Sequence, residues 1–145
     1  MGECNIRYGV LADSLGYRIR LAEVASMQAF GPAFEGTGLT AARFTALELV
    51  GRNPGIGPAR LAAAMAVEPS NVVALVRWLA ARGWLHETAG ASRREKSLQL
   101  TETGRLALNG FRRRLRRHDR ALGRGLDAGQ RQQLARLLQR LITGA

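Results

Sequence analysis

Residues 68–101 (EPSNVVALVRWLAARGWLHETAGASRREKSLQLT) leave the chain few ways to fold. Their first half predicts a short helix with a marked start. Glu68 is a weak cap, Pro69 suits a first helical position, and Ser70 and Asn71 fill the first turn. Val72, Leu75, Val76 and Leu79 recur at helical spacing, so one face is buried. Gly83 stops the helix. The second half predicts a hairpin with strands over residues 84–88 and 97–100, where Leu98 and Leu100 share a face at period two. Between the strands runs a small-residue turn that ends in Arg93 and Arg94. A polar-tipped helix is thus followed at once by a basic hairpin.

The flanks predict more helix. Over residues 8–30, Leu11, Leu15, Ile19 and Met27 mark an apolar stripe, with Tyr8 and Phe30 near its ends. Gly31-Pro32 ends or bends that helix. Thr40 caps the next helix, which carries Phe44, Leu47, Leu49 and Val50 until Asn53-Pro54-Gly55 breaks it. Pro58 starts a short helix bearing Leu61, Ala62 and Met65. After the hairpin, Thr101 or Thr103 caps a long helix with Leu106, Leu108, Phe111, Leu115 and Leu122 on one side. Arginines 112, 113, 114, 116, 117 and 120 cover the rest. Asp127 with Gln130 forms a capping-box start for a last helix that buries Leu134, Leu137, Leu138 and Leu141. At 145 residues, with 46% apolar side chains, this is one domain with a sizeable core.

The net charge of +11 points to a polyanionic partner. Arginine supplies nearly all of it, Lys96 being the only lysine. Arginine makes bidentate contacts to phosphate and guanine that lysine makes less well. With Cys4 as the only cysteine, no intramolecular disulfide can form, which suits a reducing compartment. No apolar run is long enough for a bilayer and no signal peptide is visible, so the expected location is cytoplasmic, with no membrane partner. His86, His118 and Cys4 have no metal-ligand spacing, and there is no phosphate-binding glycine loop or nucleophile elbow. No catalytic residue, metal or cofactor is expected, and the chain does not read as an enzyme.

A helix followed by an arginine-tipped hairpin is what a winged helix-turn-helix needs to read DNA. The helix fits a major groove and the wing reaches the neighbouring minor groove. Residues 38–104 resemble the core of the MarR family of transcriptional regulators. Leu39-Thr40, Gly83-Trp84-Leu85, Arg93-Arg94 and Leu100-Thr101-Glu102-Thr103-Gly104 fall in that family's order and spacing. Where the family's wing usually carries an aspartate before the tip arginine, this chain has Ser92. Val73 and Ala74 stand where relatives often carry polar or basic residues. Some members sense peroxide through an N-terminal cysteine, but the residues around Cys4 do not resemble that site, and it reads as a surface thiol.

The resemblance implies a mainly α fold with a small β-hairpin wing. Residues 1–36 would be a tail and dimerisation helix, 37–104 the DNA-binding lobe, and 105–145 further dimerisation helices, all one intertwined domain. It also implies a homodimer on a pseudo-palindromic double-stranded operator, acting as a repressor. Release would come from a small-molecule effector, an anionic aromatic compound held between the dimer helices and the lobe. Tyr17, Arg20, Phe44 and Phe111 are candidate lining residues there; each is otherwise plain core or surface. For DNA, the candidates are Arg93 and Arg94 at the wing tip, with Ser70, Asn71 and Arg77 on the helix. Asn71 suits adenine, and Arg77 a guanine or a phosphate. The structural alternatives are a solvated turn, helix capping and a surface charge. Trp78 is expected in the core rather than resting on the DNA backbone. The run from Arg112 to Arg120 is either a solvated helix face, the commoner fate of such a run, or a phosphate contact. Two other functions stay open: a non-specific nucleic-acid-binding or architectural protein, and a winged-helix module that binds protein.

Overall fold

The structure, a computed structural model, describes residues 6–90 and 96–144. Six α-helices and one hairpin follow in the order α1 (Leu15–Ala33), α2 (Ala41–Arg52), α3 (Pro58–Met65), α4 (Pro69–Ala81), β1 (Leu85–Ala89), β2 (Lys96–Leu100), α5 (Glu102–Leu122) and α6 (Ala128–Thr143). Among the described residues no single helix is long and apolar enough to cross a membrane. Cys4, Ser92, Arg93 and Arg94 lie outside the described residues.

Local chemistry sets most boundaries. Thr40 caps α2 by accepting the Arg43 N–H at 3.2 Å, and Thr101 caps α5 by accepting the Gly104 N–H at 2.9 Å. Asp127 and Gln130 close the capping box of α6. Gly83, at φ +66°, ends α4: its N–H bonds the Ala80 carbonyl at 2.8 Å and the Trp84 N–H bonds the Leu79 carbonyl at 3.1 Å. This is the paired closure that a left-handed glycine permits.

Four expectations change. Glu68 makes no side-chain cap; Pro69 at the first position opens α4. The first helix begins at Leu15 rather than near Tyr8, because Ser14 accepts the Tyr17 N–H and a 3-10 turn, Gly9–Asp13, precedes it. It also runs through Gly31-Pro32 to Ala33: Pro32 forgoes one hydrogen bond, and the Phe34 N–H closes the helix onto the Phe30 and Gly31 carbonyls. The hairpin runs Leu85–Ala89 against Lys96–Leu100, with Leu85 opposite Leu100. Trp84 is excluded because its N–H is committed to the end of α4.

Leu47, Val50, Leu61, Val72, Leu79, Leu98 and Leu108 are fully buried and join α2, α3, α4, the hairpin and α5 in one core. Ile56 bridges Leu98 in antiparallel fashion, so the α2–α3 loop adds a third, one-residue rung to the sheet. Two contacts lock α5 in place. Arg112 forks onto Glu48 of α2, with Nε to Oε2 at 2.8 Å and Nη2 to Oε1 at 3.0 Å. Arg114 donates to the Ala33 and Glu35 carbonyls at the end of α1, both at 3.2 Å. His118 is buried further along α5, with Nε2 3.0 Å from the Ser26 carbonyl and Nδ1 2.9 Å from Asp119.

Within one chain α6 buries no residue: Leu134, Leu137, Leu138 and Leu141 are each between 40% and 51% exposed. The apolar stripe of α1 behaves likewise, with Leu15 and Met27 exposed and only Phe30 buried.

Two measurements check this account. A Cβ at Gly104 would collide with the Trp84 carbonyl. Gly104→Ala is therefore expected to cost roughly 2–3 kcal/mol in denaturant unfolding at fixed protein concentration; a neutral result would refute the close approach. The Arg112 hydrogen bond holds the Glu48 carboxyl below its ordinary value of 4.5, with Arg52 adding to the effect against desolvation. The folded carboxylate therefore stays ionised to lower pH than the unfolded one. The stability gap between the native protein and Glu48→Gln should be constant above pH 4.5 and shrink as pH falls through the folded value. A gap that ignores acid would remove the ion pair as its cause.

Candidate nucleic-acid interface

The chain turns through 109° between α3 and α4, within the range expected of a helix-turn-helix. Ala66, left-handed at φ 52°, makes the corner, and the Val67 N–H returns to the Ala62 carbonyl at 3.1 Å. With Val72, Val76 and Leu79 committed to the core, α4 presents Ser70, Asn71, Val73, Ala74, Arg77 and Ala80 to solvent. Three of the five DNA candidates, Ser70, Asn71 and Arg77, therefore share one accessible face. The Asn71 backbone N–H bonds the Glu68 carbonyl at 3.0 Å, and no side-chain cap occupies Ser70 or Asn71. Arg77 lines a groove of about 530 Å³ between α4 and the wing, together with Val73, His86 and Lys96. Lys96 is paired with Glu87 across the strands at 2.7 Å.

Trp78 is half-buried against the core rather than inside it. The Arg43 guanidinium lies 4.0 Å from its ring centroid and that of Arg82 4.3 Å. Both arginines also hold the α1–α2 loop: Arg43 Nη1 donates to the Gly38 carbonyl at 2.8 Å and Arg82 Nη1 to the Thr37 carbonyl at 3.1 Å. The C-terminal end of α4 is thereby fastened to the loop that follows α1. Sequence reasoning missed Arg43, whose partner ring lies on a different element, and Arg82, whose place four residues after Trp78 at the end of the same helix was a local signal.

The four tentative ligand residues do not converge within one chain. Phe44 and Phe111 are buried on either side of Phe34, with ring centroids 5.5 and 6.4 Å from it. Tyr17 is half-buried beside Tyr8 at 6.0 Å, and exposed Arg20 pairs with Glu23 at 2.7 Å. Seventeen residues of helix and its end separate Tyr17 from Phe34, roughly 25 Å along α1 at about 1.5 Å per residue. The arginine run of α5 divides too. Arg112 and Arg114 are engaged inside the protein, while Arg113, Arg116, Arg117 and Arg120 line an open cleft of about 820 Å³ with Arg114, Gly110 and Phe111. Among the described residues no three of His, Cys, Asp and Glu are grouped to hold a metal ion.

Residues 37–95 match the MarR family model. Over 136 residues the chain is 30% identical to a putative transcriptional regulatory protein for the hcr operon of Thauera aromatica, covering 92% of this chain and 82% of that one. The chain belongs to the MarR family. The transcriptional repressor CouR, solved on a 23-mer DNA duplex, is similar in structure at a TM-score of 0.89 and 28% identity, over 95% of this chain and 99% of that one. A MarR family protein of Mycobacterium tuberculosis in complex with salicylic acid matches at a TM-score of 0.72 and 26% identity, over 88% and 96% of the two chains. The mainly helical fold with a two-stranded wing is thus the fold of these regulators.

If the guanidinium stack on Trp78 sets the end of α4, Trp78→Ala should cost roughly 3 kcal/mol in unfolding, and Trp78→Phe, which keeps a ring face, less than about 1.5 kcal/mol. Equal losses would rule out the stack as the reason.

Proposed function

We propose that this chain is a homodimeric, sequence-specific DNA-binding transcriptional regulator, a repressor released by a small anionic aromatic effector. One observation carries the reading. The accessible face of α4 is set against α3 at 109° and followed directly by the wing, in a chain that matches a DNA-bound repressor along nearly its whole length. In this reading α4 enters a major groove, where Asn71 addresses adenine, Arg77 a guanine or phosphate, and Ser70 the backbone. Arg93 and Arg94 enter the minor groove. Two-fold symmetry gives a pseudo-palindromic operator with half-sites about one helical turn apart.

The dimer assignment is supported by the bare leucines of α6 and the bare stripe of α1, a combined apolar surface that a lone soluble chain rarely exposes. Residues 1–36 and 105–145 then form the shared arms, and 37–104 the reading lobe. For the effector, Phe44 and Phe111 offer the apolar wall. Tyr17 and Arg20 contribute only if a second copy delivers them there.

The decisive test is fluorescence anisotropy near physiological salt, with the DNA upstream of the gene and with fragments selected from the genome, each against a shuffled duplex. A large preference should appear. Arg77→Ala should reduce it by about 1–3 kcal/mol, and Arg94→Ala should weaken binding further. Steeply salt-dependent binding with no preference for any selected fragment would overturn this reading in favour of an architectural protein.

A further inference from the structure

Five arginines line the cleft on α5, and reading DNA with α4 and the wing does not use it. Arg113, Arg116, Arg117 and Arg120 fall on successive turns and line it together. Among the described residues none of these four has a hydrogen-bonded or ion-paired partner, and no carboxylate lines the cleft. The nearest acids by sequence are occupied elsewhere: Asp119 faces His118, Asp127 caps α6 and Glu102 pairs with Arg105. Like charges at such spacings on one helix repel one another, so the arrangement is costly while empty.

The two helices with bare apolar faces, α6 and α1, offer the cleft no free carboxylate. Helix α6 carries arginines and no acid, and Glu23 of α1 is already paired with Arg20. Gly110 adds a separate observation. Glycine weakens a helix interior, and a Cβ there would meet nothing nearer than the Arg113 guanidinium at 3.8 Å. Packing therefore does not demand glycine, yet its absence of side chain leaves the cleft open beside Phe111.

We propose that this cleft binds the effector through several negative charges of the phosphate-ester class, with an apolar part lying toward Phe111. A lone carboxylate neutralises one guanidinium and leaves three facing one another. Phosphate oxygens take arginine forks in pairs, so two or three phosphate groups match the four unpaired cations. The inference rests on the effector-responsive reading above and deepens it by naming the anion. Backbone phosphates of DNA share this chemistry, and the experiment separates the two sources.

The test uses the full chain in two assays. Calorimetry without DNA compares inorganic phosphate, pyrophosphate, triphosphate and adenosine 5′-diphosphate with salicylate. Anisotropy then measures operator affinity with and without the tightest probe. Affinity should climb steeply from phosphate to triphosphate and exceed that for salicylate, and the bound probe should weaken operator binding on the order of tenfold. Arg117→Ala/Arg120→Ala should abolish probe binding and release while leaving operator affinity, and its salt slope, unchanged. Arg124→Ala/Arg136→Ala, which removes two charges away from the cleft, controls for net charge. Three outcomes would each overturn the proposal: salicylate binding as tightly as triphosphate, equal loss in this charge control, or a shallower salt slope for DNA in the Arg117→Ala/Arg120→Ala variant, which would assign the cleft to DNA phosphates. Because calorimetry needs no operator, failure of sequence preference would sink the function above without touching this result.

Discussion

Three functional parts meet at Thr101. Its hydroxyl accepts the Gly104 N–H to start α5 and donates to the Gly83 carbonyl at 2.5 Å, just past the end of α4. Its own N–H bonds the Trp84 carbonyl at 3.1 Å, where the first wing strand begins. One residue thus fixes the end of the reading helix, the root of the wing and the origin of the long arm. The missing side chain of Gly104 is what lets the Trp84 backbone pass so close. If this junction shifts, the angle between lobe and arm shifts with it.

The remaining contacts make that angle hard to change locally. Arg112 holds the arm to α2 by a fork, and Arg114 holds it to the end of α1 through carbonyls. Arg43 and Arg82 pin the next loop to Trp78 at the far end of α4. The lobe and the base of both arms behave as one packed unit, because closely packed cores have few intermediate arrangements. Motion that alters the spacing of two reading helices would then come from how two such units sit on each other.

The lobe was legible in the sequence because its signals are local. Proline starts, glycine stops, threonine caps and period-two leucines each act within a few residues, and α2 to α5 begin and end close to where those signals stand. The start of α1 was misjudged because the apolar period runs on through Leu11, although Ser14 supplies the true cap. Long-range contacts left no trace. The Ile56–Leu98 rung, the Arg112–Glu48 fork and the Arg43 stack on Trp78 join residues that only the tertiary fold makes neighbours. The four residues proposed for the effector were chosen by side-chain type, which says nothing of place. Aromatic and basic side chains on α1 look alike along its length, and the antiparallel packing of α1 on α5, which sets Ser26 beside His118, decides which end meets Phe111.

The capping box of α6 bears on how two copies would come together. Asp127 and Gln130 close the start of this helix within the chain itself, before anything covers its leucines. Helices are costly to nucleate in isolation, and a box at the first turn lowers that barrier. The box thus biases α6 toward helix before its leucines are covered, so less backbone ordering is left to the moment at which two copies meet.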